Sequence, residues 1–191
     1  MHHADHLFVI TGGPGSGKST LIDALAALGY ARTVEAGRSV IQSQLASGGQ
    51  ALPWSDRRAF AKQMLKHEVR SYRTAQLQPG PVLCDRGIPD IVGYLQLEQL
   101  PTSSCLLHAA RSFRYHHQVF IAPPWPEIYR QDAERKQTPE RAELTWKTMV
   151  SVYRELGYAL TEIPRGSVAA RVQFLQEHIG PPPNPQLAQK V

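Results

Sequence analysis

Residues 12–19 read Gly12-Gly13-Pro14-Gly15-Ser16-Gly17-Lys18-Ser19, and they restrict this chain more than any other stretch. The spacing is GxxxxGK[ST]. Its context is what the chemistry needs, with an apolar run at residues 7–11 before it and a helical pattern from about Lys18 after it. Glycines let the backbone curl until successive N–H groups point inward at phosphate oxygens. The helix that follows adds the positive end of its dipole. Lys18 is then placed to reach β- and γ-phosphates and the Ser19 hydroxyl to bind magnesium, with Thr20 completing the set. The motif thus calls for a nucleoside triphosphate and Mg2+.

Apolar runs alternate with helical patterns along the rest of the chain, which argues for an α/β fold with a parallel sheet wrapped by helices. Strands are expected at residues 7–11, 33–35, 82–84, 118–122 and 158–163. Helices are expected at about 18–28, 37–46, 56–76, 90–100, 103–113, 139–156 and 167–179. Residues 1–179 form one domain with a lid at about 124–140. His2 and His3 read as a disordered start, and the proline-rich residues 180–191 as a disordered tail.

A length of 191 residues suits one domain with a full core. No apolar run approaches the roughly 20 residues of a membrane span, and the expected compartment is the cytoplasm. Cys84 and Cys105 belong to no metal-binding cluster, and a disulfide between them is not expected in a reducing compartment. The net charge of +5 suits an anionic substrate.

The remaining motifs sort among the kinds of protein that carry such a loop. The only asparagine is Asn184, so the Asn-Lys-x-Asp element of common switch GTPases is missing. Leu45-Ala46-Ser47-Gly48-Gly49-Gln50 looks like a transporter-ATPase signature but lies too close behind the loop, and it reads as a helix stop. Asp85-Arg86 ends a compact buried strand. The acid there can hold magnesium and the arginine can contact phosphates on the acceptor side. Glu35 ends the second expected strand, where a carboxylate can take the proton of an attacking hydroxyl, and Arg38 follows one turn on. Arg130, Arg135 and Lys136 follow the fourth strand, where a lid would close over the triphosphate. Acceptor specificity would lie around Arg38, Trp54, Asp90 and Tyr94.

The strings Gly12 to Thr20, Glu35-Ala36-Gly37-Arg38, Asp85-Arg86-Gly87-Ile88-Pro89-Asp90 and Asp132-Ala133-Glu134-Arg135-Lys136 give the chain a family likeness. It resembles the small AAA-labelled ATP-binding proteins related to ribosylnicotinamide kinases and nucleoside kinases. The resemblance implies a five-stranded, nucleoside/nucleotide-kinase-like fold. It implies Glu35 as base, Asp85 as magnesium support, Arg86 and the lid arginines as phosphate contacts, and residues 164–168 near the adenine. The chain has no Asp-Glu strand end and no arginine-finger assembly pattern.

Arg58, Lys62, Lys66 and Arg70 recur every four residues on one helix, with Arg73 close by. No RNA-binding motif accompanies this stripe. It reads as a solvated face, and nucleic acid is not an expected partner. The leading expectation is a kinase passing the ATP γ-phosphate to a hydroxyl of a small, nucleoside-like acceptor. The alternatives are an ATPase or binding module that switches a partner contact, and a nucleoside-monophosphate kinase.

Overall fold

The computed structural model describes residues 2–125 and 138–183. Five parallel strands form the central sheet: β2 (Leu7–Gly12), β3 (Ala31–Arg32), β4 (Val82–Asp85), β6 (Gln118–Ala122) and β7 (Ala159–Glu162), in the order β3-β4-β2-β6-β7. The helices are α1 (Lys18–Ala27), α2 (Ala36–Ser47), α3 (Arg57–Ala75), α4 (Ile88–Leu97), α5 (Ser104–Ser112), α6 (Pro139–Glu155) and α7 (Val168–Ile179). This is the α/β architecture that the sequence calls for.

All six residues of β2 are buried, because both sheet faces are covered. The period of two along the strand divides its side chains. Leu7 and Val9 pack with Val82, Cys84, Ile121, Tyr72 and Tyr153 on one side. Phe8 and Ile10 pack with Leu83, Phe120, Leu21, Leu25 and Leu175 on the other. A third cluster joins α2, α3, α4 and α5 through Val40, Phe60, Met64, Ile91 and Leu106. The register sets Ile10 opposite Asp85 on β4 and Gly12 opposite Ala122 on β6. The strand order reverses around β2, so the crevice beyond its carboxyl end is where a doubly wound sheet takes its ligand.

Several boundaries differ from the sequence reading. The second sheet strand is Ala31–Arg32, not residues 33–35. Thr33 N still donates to the Leu83 carbonyl of β4 at 2.9 Å, but Val34 is 61% exposed and Glu35 is the N-cap of α2, so the chain leaves the sheet within the Thr33-Val34 pair. His2–His3, expected to be disordered, form β1 and pair in parallel with β5 (Phe113–Arg114). Helix α4 begins at Ile88, two residues early, with Pro89 in its first turn. Of residues 180–191, 180–183 are described. The Gly180 carbonyl accepts a hydrogen bond from Tyr30 Oη at 2.5 Å, and Pro183 lies close to Gly80. Both cysteines are free, Cys84 buried and Cys105 exposed. No helix among the described residues is long and apolar enough to cross a membrane.

Candidate functional site

The loop leaves β2 at Gly12, whose φ is +129° and where a Cβ would stand 2.4 Å from the Ala122 carbonyl oxygen. Only glycine fits that approach. Gly15 and Gly17 take left-handed φ values of 73° and 72°, completing the curl ahead of α1. Ser16 Oγ donates to the Gly13 carbonyl at 2.8 Å and ties the loop across itself. Lys18 is buried under it, and its Nζ donates to Gly12 O at 2.9 Å and Gly13 O at 2.7 Å. Burial, and then the Arg86 charge, lower its pKa to about 7. Pro14 is buried at the loop's turn, while Ser19 and Thr20 are exposed in the first turn of α1.

Asp85, Arg86, Glu35 and Asp90 meet beside this loop. Arg86 has a φ of 70°, an unusual conformation for a residue with a side chain. Three acceptors hold it. Its Nε donates to Glu35 Oε1, and its Nη1 to Gly12 O and Asp90 Oδ1, each at 3.1 Å. Burial works against its charge, but Glu35, Asp90 and Asp85 outweigh that and raise its pKa. The guanidinium therefore stays charged and joins the loop to the expected base.

Asp90 is the anchor of this network. Its Oδ1 accepts from Thr11 Oγ1 at 2.5 Å and from Arg86, and its Oδ2 accepts from Gly87 N at 3.0 Å and Tyr153 Oη at 2.6 Å. With four donors on a side chain only 6% exposed, the carboxylate faces into the protein and aligns Arg86. Asp85 differs. Its Oδ1 is buried with no hydrogen-bond partner. Burial, Glu35 and Asp90 raise its pKa, against the opposing pull of Lys18 and Arg86.

Magnesium fits this donor set. A buried carboxylate oxygen with no partner is costly unless something positive approaches it. Three carboxylates (Glu35, Asp85, Asp90) stand against two cations (Lys18, Arg86), a balance a divalent cation would reverse ahead of a triphosphate. Among the described residues no cluster of three or more His, Cys, Asp or Glu could cage a metal. Mg2+ needs no such cage, since it keeps waters and takes substrate phosphates as ligands.

Other expected residues fall elsewhere. Arg38 lies exposed in the first turn of α2. Arg130, Arg135 and Lys136, expected in a lid, lie outside the described residues. Arg58, Lys62, Lys66, Arg70 and Arg73 are all exposed on α3, as a solvated stripe should be. Sequence reasoning missed Glu68, 5% exposed on the inward face of α3. Burial, then Asp90 and Asp85, raise its pKa well above the ordinary carboxylate value. The available signal was its spacing: Glu68 interrupts the i, i+4 series Phe60, Met64, Tyr72.

The fold is shared with solved kinases. The NadR protein in complex with NR matches at a TM-score of 0.70 and 14% identity, over 93% of this chain and 51% of that one. The chain thus spans about half the length of that relative. Deoxyadenosine kinase from M.mycoides, with products dcmp and a flexible dcdp bound, matches at 0.65 and 13% identity, over 90% of this chain and 97% of that one. Thymidylate kinase from Ehrlichia chaffeensis matches at 0.58 and 15% identity, over 92% and 98%. At such identities the likeness is one of fold. No curated protein matches the chain in sequence. A family model described as AAA domain matches residues 7–171, from the first sheet strand through the phosphate loop to α7, and the chain belongs to that family.

Proposed function

We propose that this protein is an ATP-dependent kinase that phosphorylates a hydroxyl of a small, nucleoside-like acceptor. The observation that carries the reading is the junction at Arg86, where one guanidinium holds Glu35, the Gly12 carbonyl and Asp90, each at 3.1 Å. It sets a carboxylate beside the phosphate loop at the carboxyl end of the sheet. That is where an acceptor hydroxyl must lie to attack a bound γ-phosphate.

Each residue then has a task. The loop amides and Lys18 hold the triphosphate, and Lys18 leaves the Gly12 and Gly13 carbonyls for phosphate oxygens. Glu35 accepts the acceptor's hydroxyl proton as that oxygen attacks the γ-phosphorus. The bond from phosphorus to the β–γ bridging oxygen breaks, and ADP leaves with that electron pair. Arg86, whose Nε and Nη1 make the bonds found among the described residues, meets charge developing on the transferred group with its Nη2. Asp90 positions Arg86, while Arg38 lies on the acceptor side. Ser19 and Asp85 would hold Mg2+, which supplies charge neutralisation on the phosphates. The lid arginines Arg130 and Arg135 would complete closure over the nucleotide.

The test is ATP consumption against a panel of nucleosides, vitamins and their monophosphates, with Lys18→Ala as blank. A kinase turns over only with its acceptor. Slow hydrolysis indifferent to every acceptor would favour a nucleotide-dependent binding module, and a response to monophosphates alone would favour a nucleoside-monophosphate kinase. With the acceptor in hand, Glu35→Gln should leave ATP affinity within about twofold and slow transfer by roughly 10²–10⁴. Transfer at the full rate would remove Glu35 from the base role.

A further inference from the structure

Arg171 on α7 is a buried cation with no ion-pair partner among the described residues. It is 3% exposed, and its Nε has no hydrogen-bond partner. Burial alone lowers its pKa, with no carboxylate opposing that. Two contacts of the guanidinium stand out among the described residues. Nη2 donates to the Ser16 carbonyl at 3.1 Å, and the guanidinium carbon stands 5.6 Å from the centre of the Trp125 ring. A methionine would fill this space without the cost of desolvating a charge. The fold keeps the arginine, so its hydrogen bond to the loop needs a reason.

The reason lies in the peptide it grips. Ser16 stands between Gly15 and Gly17, both in the left-handed region. Rotation of the Ser16–Gly17 peptide plane changes ψ of Ser16 and φ of Gly17, and the glycine makes the second of these inexpensive. In a trans peptide the C=O and the N–H point opposite ways. Fixing the Ser16 oxygen toward Arg171 therefore turns the Gly17 N–H toward the opposite side, into the loop. A cation on the carbonyl also polarises the peptide and strengthens that N–H as a donor. We propose that Arg171 is a positioning residue of the donor site, which locks the Ser16–Gly17 peptide so that the Gly17 N–H aims at a nucleotide phosphate. The inference rests on reading residues 12–19 as the ATP donor site. The Trp125 ring, 5.6 Å from the guanidinium carbon, gives the cation a second favourable contact.

The experiment compares Arg171→Met and Arg171→Lys with the unaltered protein, using ADP as ligand. Calorimetry gives Kd, and thermal unfolding without nucleotide gives Tm. The lock predicts that Arg171→Met raises the Kd for ADP about tenfold while Tm of the free protein holds or rises. Arg171→Lys, which can still donate to the Ser16 oxygen, recovers at least part of the affinity. A residue needed only for packing would do the reverse, lowering Tm and leaving Kd unchanged. That result, or a methionine variant that does not fold, overturns the lock. Lys18→Ala separates the two levels of the argument. If it leaves ADP affinity intact, the donor-site reading fails. If it abolishes binding while Arg171→Met leaves Kd unchanged, only the role of Arg171 fails.

Discussion

Lys18 makes the free protein's stability depend on pH in a way that can be worked through. Its ammonium is buried beneath the loop, with the Gly12 and Gly13 carbonyls as acceptors, and its pKa is about 7. In the unfolded chain a lysine titrates near ~10.4. Below about 7 both states hold the proton and the full cost of burying the charge is present. Between about 7 and 10.4 the unfolded state binds more protons, so stability rises with pH by up to about 1.4 kcal/mol per unit. Above that window both states are neutral and the cost is gone. Lys18→Met removes the titration and keeps most of the bulk. The unfolding free energy of Lys18→Met minus that of the unaltered protein should therefore fall by about 3 kcal/mol from pH 7 to 9.5. The two carbonyls that lose a donor shift this difference by a constant. Other groups, such as Cys84 and Tyr72, titrate alike in both proteins and cancel. Urea unfolding without nucleotide, at half-unit pH steps, measures it. A difference that stays flat across the range would show that Lys18 is held by its carbonyls as an ordinary high-pKa ammonium, and the burial argument would be refuted.

Two further outcomes follow from the same groups. At pH 8 a Lys18 with a pKa of about 7 is mostly neutral, and a bound triphosphate would protonate it, so ATP binding should take up close to one proton, about 0.9 at most. Calorimetry in two buffers of different ionisation heat reads this directly, and an enthalpy independent of buffer contradicts it. Tyr153→Phe removes one of four donors to the buried Asp90 carboxylate and should cost about 1–3 kcal/mol of stability. On the proposed mechanism transfer should slow with little change in ATP affinity, because Asp90 is joined to Glu35 through Arg86. Equal losses in ATP affinity and turnover would break that chain of positioning.

What was legible in the sequence was what the chain keeps contiguous. The curled loop reads directly because its glycines and lysine sit at successive positions, so spacing alone carries its geometry. Buried strands also read well, since β2 and β6 meet neighbours on both edges and both faces. Of the two edge strands, β7 read well and the two-residue β3 did not. Ala31–Arg32 pairs only with β4, and two residues with one partner leave no period to find. The β-branched Thr33-Val34 pair beside it supplied a stronger false signal. The β1–β5 pair is equally short on both sides. Asp90 shows the deeper reason. From sequence it looked like an acceptor contact, because an acid just past Asp85-Arg86 lies near the crevice whichever way it faces. Its direction is set by Thr11, Arg86, Gly87 and Tyr153, which come from β2, the loop after β4 and the far helix α6. In sequence Tyr153 is simply another apolar position on a helical stripe, and only folding reveals that its hydroxyl ends on a carboxylate. Arg171 escaped for the same reason, standing 155 residues from the Ser16 carbonyl it holds. Groups that touch the ligand are constrained by the ligand's shape and recur as motifs. Groups that orient them are constrained only by the fold, so any residue reaching the right oxygen will serve, and no spacing announces it.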